Sequence, residues 1–434
     1  MGVNIPKRLS AAILGSLQAG VVPRVGLEYV AVGRKREIET VLSDLENISQ
    51  GGAAFRFVTG RYGSGKSFFL QAIRNFAMEK DYIVADADLS PEKRLSGSGN
   101  HGLETYRELM ERLSTNVRPE GGALESILQK WIGAVKSGLV KEGMLPSEEN
   151  FDSRVEMKIH EALGEMQNFA HGFDFAAAVS VYYRSFVDGD DIKKQAALRW
   201  LRGEYSTKTE ARSFLPVGEI ITDENWYEYI RLFAAFSSRI GFRGFLVFID
   251  ECVNLYKIAN RQSRENNYEK LLAMFNDCLQ GKAENLGIFI AGTPQFMEDE
   301  RRGLASYAAL RSRLADNRFV KEGFRDSGSP VIRLDQLSKE ELYVLLERLA
   351  GIHARHFEYD QRLGERELGA FLELALSVPG ADEFLTPREI TRDFLGLLNI
   401  MKDDSSALFD DIIRREEYPA ASYAGESMYA DFEL

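Results

Sequence analysis

Cysteine, histidine and long apolar runs are scarce in this sequence, and each scarcity excludes a class of protein. Two cysteines among 434 residues cannot form the disulfide framework of a small secreted domain, and both Cys252 and Cys278 fall in apolar patterns typical of buried free thiols. The five histidines show no ligand spacing with the cysteines, which argues against a zinc site. No run approaches the roughly 20 apolar residues that span a bilayer. We therefore expect a globular protein of the cytoplasm that does not bind membranes.

Basic charge is also in deficit. The chain carries 54 Lys and Arg against 66 Asp and Glu, a formal net charge of −12, which argues against a generally basic nucleic-acid surface. Basic pairs such as Arg301 and Arg302 are short and lack interleaved aromatic residues, so few DNA phosphates would be neutralised at once. We expect DNA binding to be indirect, through a partner, or to depend on an oligomer.

A complete phosphate-binding loop stands in the N-terminal part of the chain. It reads Gly60, Arg61, Tyr62, Gly63, Ser64, Gly65, Lys66 and Ser67. An alternating run rich in β-formers precedes it at 55–59, and a run with apolar residues at helical spacing follows from Phe68 to residue 77. Because a loop between a strand and a helix is the context in which this motif cradles phosphates, the sequence predicts a nucleoside triphosphate site over residues 60–68.

Each residue type in the loop has a chemical task. Glycines let backbone N–H groups turn towards the phosphates without Cβ clashes, and the helix N-terminus adds positive potential. Lys66 is predicted to reach the β- and γ-phosphate oxygens, and the Ser67 hydroxyl is predicted to ligate Mg²⁺. ATP and Mg²⁺ are therefore the predicted ligands.

A fully apolar run at 245–249 ends in two carboxylates, Asp250 and Glu251. Such a run fits a strand buried on both faces of a parallel sheet, and ligands bind at the carboxyl ends of such strands. Asp250 is predicted to hold the water shell of Mg²⁺, and Glu251 to orient or deprotonate the attacking water. The pair predicts an enzyme that hydrolyses ATP to ADP and phosphate.

Two later segments add candidate catalytic residues. The buried run at 286–292 ends at Thr293, which is placed to contact the γ-phosphate or the attacking water. Arg311 and Arg313 lie on a predicted helix, where they either complete the site of a neighbouring subunit or belong to an ordinary surface helix.

Capping boxes at 338–341 and 386–389 predict two helix starts in the C-terminal part, the second with proline at the first helical position. Arg388 lies in the first turn of that second helix, where a cation opposes the macrodipole. A role in stability is therefore disfavoured, and Arg388 is predicted to sense the phosphates of the nucleotide.

These segments predict the domain organisation. Residues 1–336 would form an α/β nucleotide-binding core, interrupted at about 91–224 by a helical insertion, because that stretch shows no strand pattern and exceeds the connections that such a core needs. Residues 337–402 would form a small helical lid, and residues 403–434 an acidic tail.

The order of the motifs resembles the AAA+ ATPases, particularly the branch with origin-recognition and STAND-type members. The segment 33–37 reads Gly-Arg-Lys-Arg-Glu and fits the Gly-Arg-x-x-Glu box of that branch, where the box lies near the adenine. The resemblance implies an AAA+-type P-loop fold, with a parallel-sheet core, a large helical insertion and a C-terminal α-helical lid. It also implies that one of the two arginines on the predicted helix acts across a subunit boundary.

Four segments resemble more closely the P-loop ATPase family of BREX and related bacterial phage-defence clusters, the BrxD-like proteins. They are residues 20–27 (GVVPRVGL), 60–67, 200–204 (WLRGE) and 386–390 (TPREI), and the likeness extends over nearly the whole chain. The resemblance implies an oligomeric ATPase that works with other defence-cluster proteins such as a helicase. ATP turnover would be coupled to the assembly or the DNA-linked activity of these partners.

Two other functions remain open from the sequence. A nucleotide-gated switch or scaffold would bind ATP, hydrolyse it rarely and be complete within one chain, whereas a ring-forming ATPase would need Arg311 or Arg313 from a neighbour. A P-loop kinase is disfavoured, because Glu251 directly after Asp250 suits activation of water better than transfer to an acceptor.

Overall fold

The computed structural model of the chain describes residues 5–315, 326, 328–377, 386–404 and 406–414. Within these ranges, no helix combines the length and the apolar character that crossing a membrane requires. The chain divides into two compact units, each assembled from separate segments.

Helices account for most of the described chain. In chain order the α-helices are α1 (Lys7–Gln18), α2 (Lys35–Ser49), α3 (Lys66–Glu79), α4 (His101–Glu111), α5 (Leu124–Lys141), α6 (Phe151–Met166), α7 (Gly172–Asp188), α8 (Asp191–Leu201), α9 (Lys208–Arg212), α10 (Trp226–Arg239), α11 (Val253–Tyr256), α12 (Arg261–Leu279), α13 (Pro294–Glu298), α14 (Ala308–Leu314), α15 (Lys339–His356), α16 (Glu365–Leu376), α17 (Pro387–Asp403) and α18 (Phe409–Arg414). Short 3₁₀ turns lie at Leu27–Tyr29 and Leu304–Ser306.

Five strands form one sheet in which all neighbouring strands are parallel. They are β1 (Ala53–Thr59), β2 (Ile83–Asp88), β3 (Phe245–Asp250), β4 (Leu286–Gly292) and β5 (Val331–Arg333), in the spatial order β2-β3-β4-β1-β5. Every residue of β4 is buried, as is all of β3 except its last residue, which is the burial expected of central strands covered on both faces. The structure confirms the predicted α/β class and the parallel sheet.

The register aligns the carboxyl ends of the strands. Asp88 of β2 pairs with Asp250 of β3, and Thr59 of β1 pairs with Gly292 of β4. Parallel strands end on the same side of a sheet, so the segments that follow β3 and β4 emerge at one edge.

The larger unit is assembled from the described residues of Arg36–Thr59 and Ile73–Arg333 and contains the sheet. Residues 91–224 are described throughout; they contain helices α4 to α9 and no strand. These helices share one continuous hydrophobic core with the sheet.

The two ends of this helical stretch are tied to each other. The Asp223 carboxylate accepts hydrogen bonds from the backbone N–H groups of Gly97 (2.9 Å) and Gly102 (2.6 Å). The Trp226 indole N–H donates to the carbonyl oxygen of Leu95 (3.1 Å). The helical stretch therefore begins and ends at neighbouring positions, and α10 then leads the chain to the start of β3.

The smaller unit is assembled from described residues of Met1–Lys35, Gly60–Ala72 and Leu334–Leu434. Helices α1, α15, α16 and α17 bury one shared cluster of leucine, isoleucine and phenylalanine side chains. Both predicted capping boxes are confirmed, with Ser338 starting α15 and Thr386 starting α17. The phosphate loop therefore belongs to the same compact unit as the C-terminal helices.

Part of the predicted acidic tail is described. Residues 406–414 include α18, in which Phe409 is buried and Asp410 pairs with Arg366 at 2.9 Å. Residues 415–434 lie outside the described residues, so the interpretation of the tail stays a prediction.

Candidate functional site

The glycines of the phosphate loop stand where side chains do not fit. Gly63 and Gly65 have φ of 77° and 86°, in the left-handed region that favours glycine. A Cβ added to Gly60 would lie 2.7 Å from the carbonyl oxygen of Leu334, and one added to Gly63 would overlap the side chain of Thr386. The loop therefore adopts a backbone shape that only this glycine pattern permits.

Lys66 begins α3, and its ammonium lies over the loop. Its Nζ donates hydrogen bonds to the carbonyl oxygens of Gly60 (2.8 Å) and Arg61 (3.0 Å). Ser67 follows in the first helical turn, which is the position from which its hydroxyl is predicted to ligate Mg²⁺. The structure thus places the ammonium group of Lys66, the predicted counter-charge for the phosphates, at the phosphate loop.

Ser64 contributes a buried hydroxyl to the loop. Its Oγ has no hydrogen-bond partner among the described residues, and the side chain is 2 % exposed. A buried hydroxyl without a partner costs roughly 1–3 kcal/mol, a cost that a ligand rich in acceptor oxygens would remove. The loop therefore fits a phosphate-bearing ligand in both shape and hydrogen-bonding capacity.

Phe68 was predicted as part of the nucleotide site. Its side chain packs against the hydrophobic cluster of the smaller unit, where it anchors the first turn of α3. A contact between Phe68 and a phosphate would therefore come from its backbone.

Arg34 stabilises the phosphate loop through hydrogen bonds that residue types alone did not predict. Its Nη2 donates to the carbonyl oxygens of Ser64 (2.8 Å) and Asp335 (2.5 Å). Gly33 precedes it with φ of 64°, and a Cβ there would lie 2.5 Å from Oε1 of Glu341. The one signal in the sequence was the Gly-Arg-x-x-Glu box, whose meaning came from the resemblance.

Replacing Arg34 by Ala is expected to weaken ATP binding about 10-fold, because hydrogen bonds from a charged group typically contribute roughly 1.5–3 kcal/mol and these hold the loop backbone. Calorimetric titration with a non-hydrolysable ATP analogue measures the change. Arg348→Ala serves as the matched control, since Arg348 donates to the carbonyl oxygen of Ala31. Equal affinities for the two variants would contradict a role of Arg34 in shaping the loop.

Arg388 contacts the phosphate loop through Tyr62. Its Nη1 donates to the Tyr62 hydroxyl at 3.3 Å, and its guanidinium lies 5.9 Å from the centroid of the Tyr62 ring. The aliphatic part of Arg388 passes Gly20, where an added Cβ would lie 3.5 Å from its Cδ. The structure therefore brings together the predicted phosphate sensor and the predicted loop, which are 326 residues apart in sequence.

The Asp250 and Glu251 pair forms a fixed turn at the end of β3. Oδ1 of Asp250 accepts a hydrogen bond from the Glu251 backbone N–H at 2.7 Å, and the Glu251 carbonyl oxygen accepts from the N–H of Asn254 (3.0 Å). Glu251 has φ of 56°, a left-handed conformation that costs a glutamate of the order of 1–3 kcal/mol. An exposed carboxylate on a strained but well-held backbone is a recurrent feature of functional sites.

Thr293 and Cys252 lie where β3 and β4 end. The Cys252 backbone N–H donates to the carbonyl oxygen of Ala291 (3.1 Å), and burial raises the pKa of the Cys252 thiol well above its usual range, so this thiol is neutral. Oγ1 of Thr293 accepts from the N–H of Phe296 (3.3 Å) as the cap of α13. A hydroxyl both accepts and donates, so this cap leaves the predicted contact with phosphate or water chemically possible.

Arg311 and Arg313 lie two positions apart on α14 and contact different neighbours. Nε of Arg311 donates to the carbonyl oxygen of Ala305 (2.5 Å), whereas Arg313 donates through Nε to Asn276 (3.1 Å) and through Nη1 to Ala309 (2.9 Å). Residues two apart on a helix point about 200° from each other. One of the two arginines, and not both, can therefore face a given site.

The candidate residues form two sets, each within one compact unit. The loop residues 60–68 and Arg388 belong to the smaller unit, and the larger unit contains Asp250, Glu251, Thr293, Arg311 and Arg313. Across the described ranges, no group of three or more His, Cys, Asp or Glu could hold a metal ion. Mg²⁺ commonly takes one or two protein ligands with phosphate and water, so Ser67 and Asp250 stay predicted ligands.

Comparison with known proteins identifies one family. The model of the family described as BREX system ATP-binding protein BrxC/D matches residues 5–417. No curated protein matches the chain. The family match confirms the resemblance that the four sequence segments indicated.

Proposed function

The chain belongs to the family of BREX system ATP-binding proteins BrxC/D, and from this premise we propose that it is an ATPase acting in a bacterial anti-phage defence complex. The observation that carries the proposal is the convergence of three cations on one glycine-shaped loop. Lys66 donates to the loop carbonyls, Arg34 to the carbonyl oxygen of Ser64, and Arg388 to the hydroxyl of Tyr62. Such a set of positive groups suits the charge of a triphosphate.

We assign the chemistry of hydrolysis to this chain's own residues. Lys66 would neutralise charge on the β- and γ-phosphates, and Ser67 and Asp250 would hold Mg²⁺, which supplies further charge neutralisation when bound. Glu251 would orient the attacking water and accept its proton, with Thr293 contacting that water or the γ-phosphate. Release of phosphate from ATP by the purified chain tests the activity.

The finer architecture belongs to the same proposal. Helices α15 to α17 would act as the helical lid of an AAA+-type core, because α17 brings Arg388 to the loop. Helices α4 to α9 would form an inserted subdomain, which the ties between Asp223 and the start of that stretch support. The acidic net charge of −12 supports DNA engagement through partners, such as a helicase of the same cluster, or through an oligomer.

We propose that the working form is an oligomer in which Arg311 completes the site of a neighbouring subunit. The side chain is exposed, and within the described part of the chain its hydrogen bond is made by Nε alone, so its two terminal nitrogens have no partner there. Arg313, by contrast, uses both Nε and Nη1 in its own chain. Arg311 is therefore the better candidate for the intersubunit arginine.

Mixing two inactive variants is expected to restore activity. Arg311→Ala retains an intact phosphate loop and Lys66→Ala retains an intact Arg311, so a random equal mixture around a head-to-tail ring would rebuild about a quarter of the shared sites. Phosphate release by each variant alone and by the mixture measures the recovery. Arg313→Ala is the control and should retain much of the wild-type rate. No recovery where mixed oligomers demonstrably form would contradict the intersubunit role.

The second candidate function is a nucleotide-gated switch with little turnover. The observation that favours it is that Arg311 and Arg313 both hydrogen-bond within their own chain. Such a switch would bind ATP. In the mixing experiment its oligomer size and its rate of phosphate release would be the same in the mixture as in the separate variants.

A further inference from the structure

Tyr62 is an unusual residue for its position. It lies inside the phosphate loop, and its side chain is 74 % exposed. Backbone geometry explains the glycines of the loop, and the charge of the phosphates explains Lys66. Neither requirement explains a large exposed aromatic side chain at position 62. The contact that Tyr62 makes among the described residues is with Arg388, through both its hydroxyl and its ring.

The surroundings of Arg388 direct its guanidinium to Tyr62. Its aliphatic part runs along Gly20. The acidic residue of the same helical turn, Glu389, is engaged elsewhere, because its Oε2 accepts from the Thr386 backbone N–H (2.9 Å) and lies 3.1 Å from the Thr386 hydroxyl. Among the described residues Arg388 has no ion pair, and its hydrogen bond goes to a neutral phenol.

A neutral partner holds a guanidinium more weakly than a phosphate would. Hydrogen bonds between a guanidinium and an anionic oxygen are roughly twice as strong as those to a neutral acceptor. Arg388 also lies in the first turn of α17, where the helix macrodipole repels a cation and attracts an anion. The Tyr62 hydroxyl and ring can therefore keep Arg388 beside the loop and release it to a phosphate oxygen.

We infer that Tyr62 is a positioning residue that holds Arg388 beside the phosphate loop and thereby sets the preference of the site for a nucleoside triphosphate over the diphosphate. The inference rests on the proposed function, since it concerns the same loop. ADP lacks the terminal phosphate, so it gains less from a guanidinium held at this place. Tyr62 thus acts through Arg388 and need not touch the nucleotide.

The test compares the dissociation constants of ADP and of a non-hydrolysable ATP analogue by calorimetric titration. In Tyr62→Ala the preference for the triphosphate is expected to fall about 3- to 10-fold, from loss of one hydrogen bond and one cation–π contact. Tyr62→Phe keeps the ring and is expected to retain a larger part of the preference. Arg392→Ala removes the same charge one turn later on α17 and should leave the preference unchanged.

A double variant separates positioning from a general effect on the loop. If Tyr62 acts through Arg388, then Tyr62→Ala adds no further loss of preference in an Arg388→Ala background. An equal loss in both backgrounds, or an unchanged preference in Tyr62→Ala, overturns the inference while the proposed nucleotide site stands. Failure of the wild-type protein to bind either nucleotide overturns both.

Discussion

A Glu251→Gln variant is expected to bind ATP as tightly as the wild type and to hydrolyse it about 10²- to 10⁴-fold more slowly, the usual contribution of a general base. The amide keeps the size and the backbone of the glutamate but does not accept a proton from water. The structure favours this residue because the turn that carries it is held by Asp250 and Asn254, so its carboxylate starts from a fixed point. Single-turnover phosphate release and analogue titration measure the two steps separately.

Two further variants show whether slower hydrolysis by Glu251→Gln comes from loss of the general base or from a change elsewhere in the protein. Glu269→Gln makes the same change on an exposed position of α12 and should hydrolyse ATP at the wild-type rate. Glu251→Gly removes the carboxylate but relieves the left-handed backbone, which glycine adopts without strain, so this variant should be inactive and unfold at a temperature no lower than that of the wild type. Hydrolysis by Glu251→Gln at the wild-type rate would remove Glu251 from the mechanism.

The positions of the strands were predictable because they depend on local pattern. The apolar runs that become β3 and β4 are too continuous for an exposed segment, and the structure buries them in the centre of the sheet. The capping boxes that start α15 and α17 are equally local, since a side chain at the first position and one three residues later satisfy each other's backbone. Both kinds of signal are contained within a few residues.

The contacts that shape the candidate site were not predictable in this way. Arg34 reaches the carbonyl oxygens of residues 64 and 335, and Arg388 reaches Tyr62 across 326 positions of sequence. No periodicity or spacing encodes such pairs, because they depend on how remote segments pack. The unusual backbone of Glu251 was missed for a related reason: its conformation is imposed by its neighbours against the preference of a glutamate.

The exchange of Lys66 for Ala is expected to weaken ATP binding about 10- to 100-fold and to bring hydrolysis below detection at ordinary ATP concentrations. A charge-assisted hydrogen bond is typically worth roughly 1.5–3 kcal/mol, and Lys66 is the cation that lies directly over the loop, 2.8 Å from the carbonyl oxygen of Gly60. The loop carbonyls remain in Lys66→Ala, where their partial negative charge would repel the phosphates. Titration with ATP·Mg²⁺ and with the non-hydrolysable analogue measures the loss.

Lys80→Ala is the matched control for this prediction, because it removes an exposed lysine just beyond the other end of α3 and should bind ATP as the wild type does.

The pattern of binding and hydrolysis across the variants distinguishes the ATPase from the nucleotide-gated switch. An ATPase requires both residues, so Lys66→Ala fails at binding and Glu251→Gln fails only at hydrolysis. A nucleotide-gated switch requires Lys66 alone, because its nucleotide-bound form does not depend on activation of water. Wild-type affinity in Lys66→Ala would contradict both, and the loop would then not be where this chain binds its nucleotide.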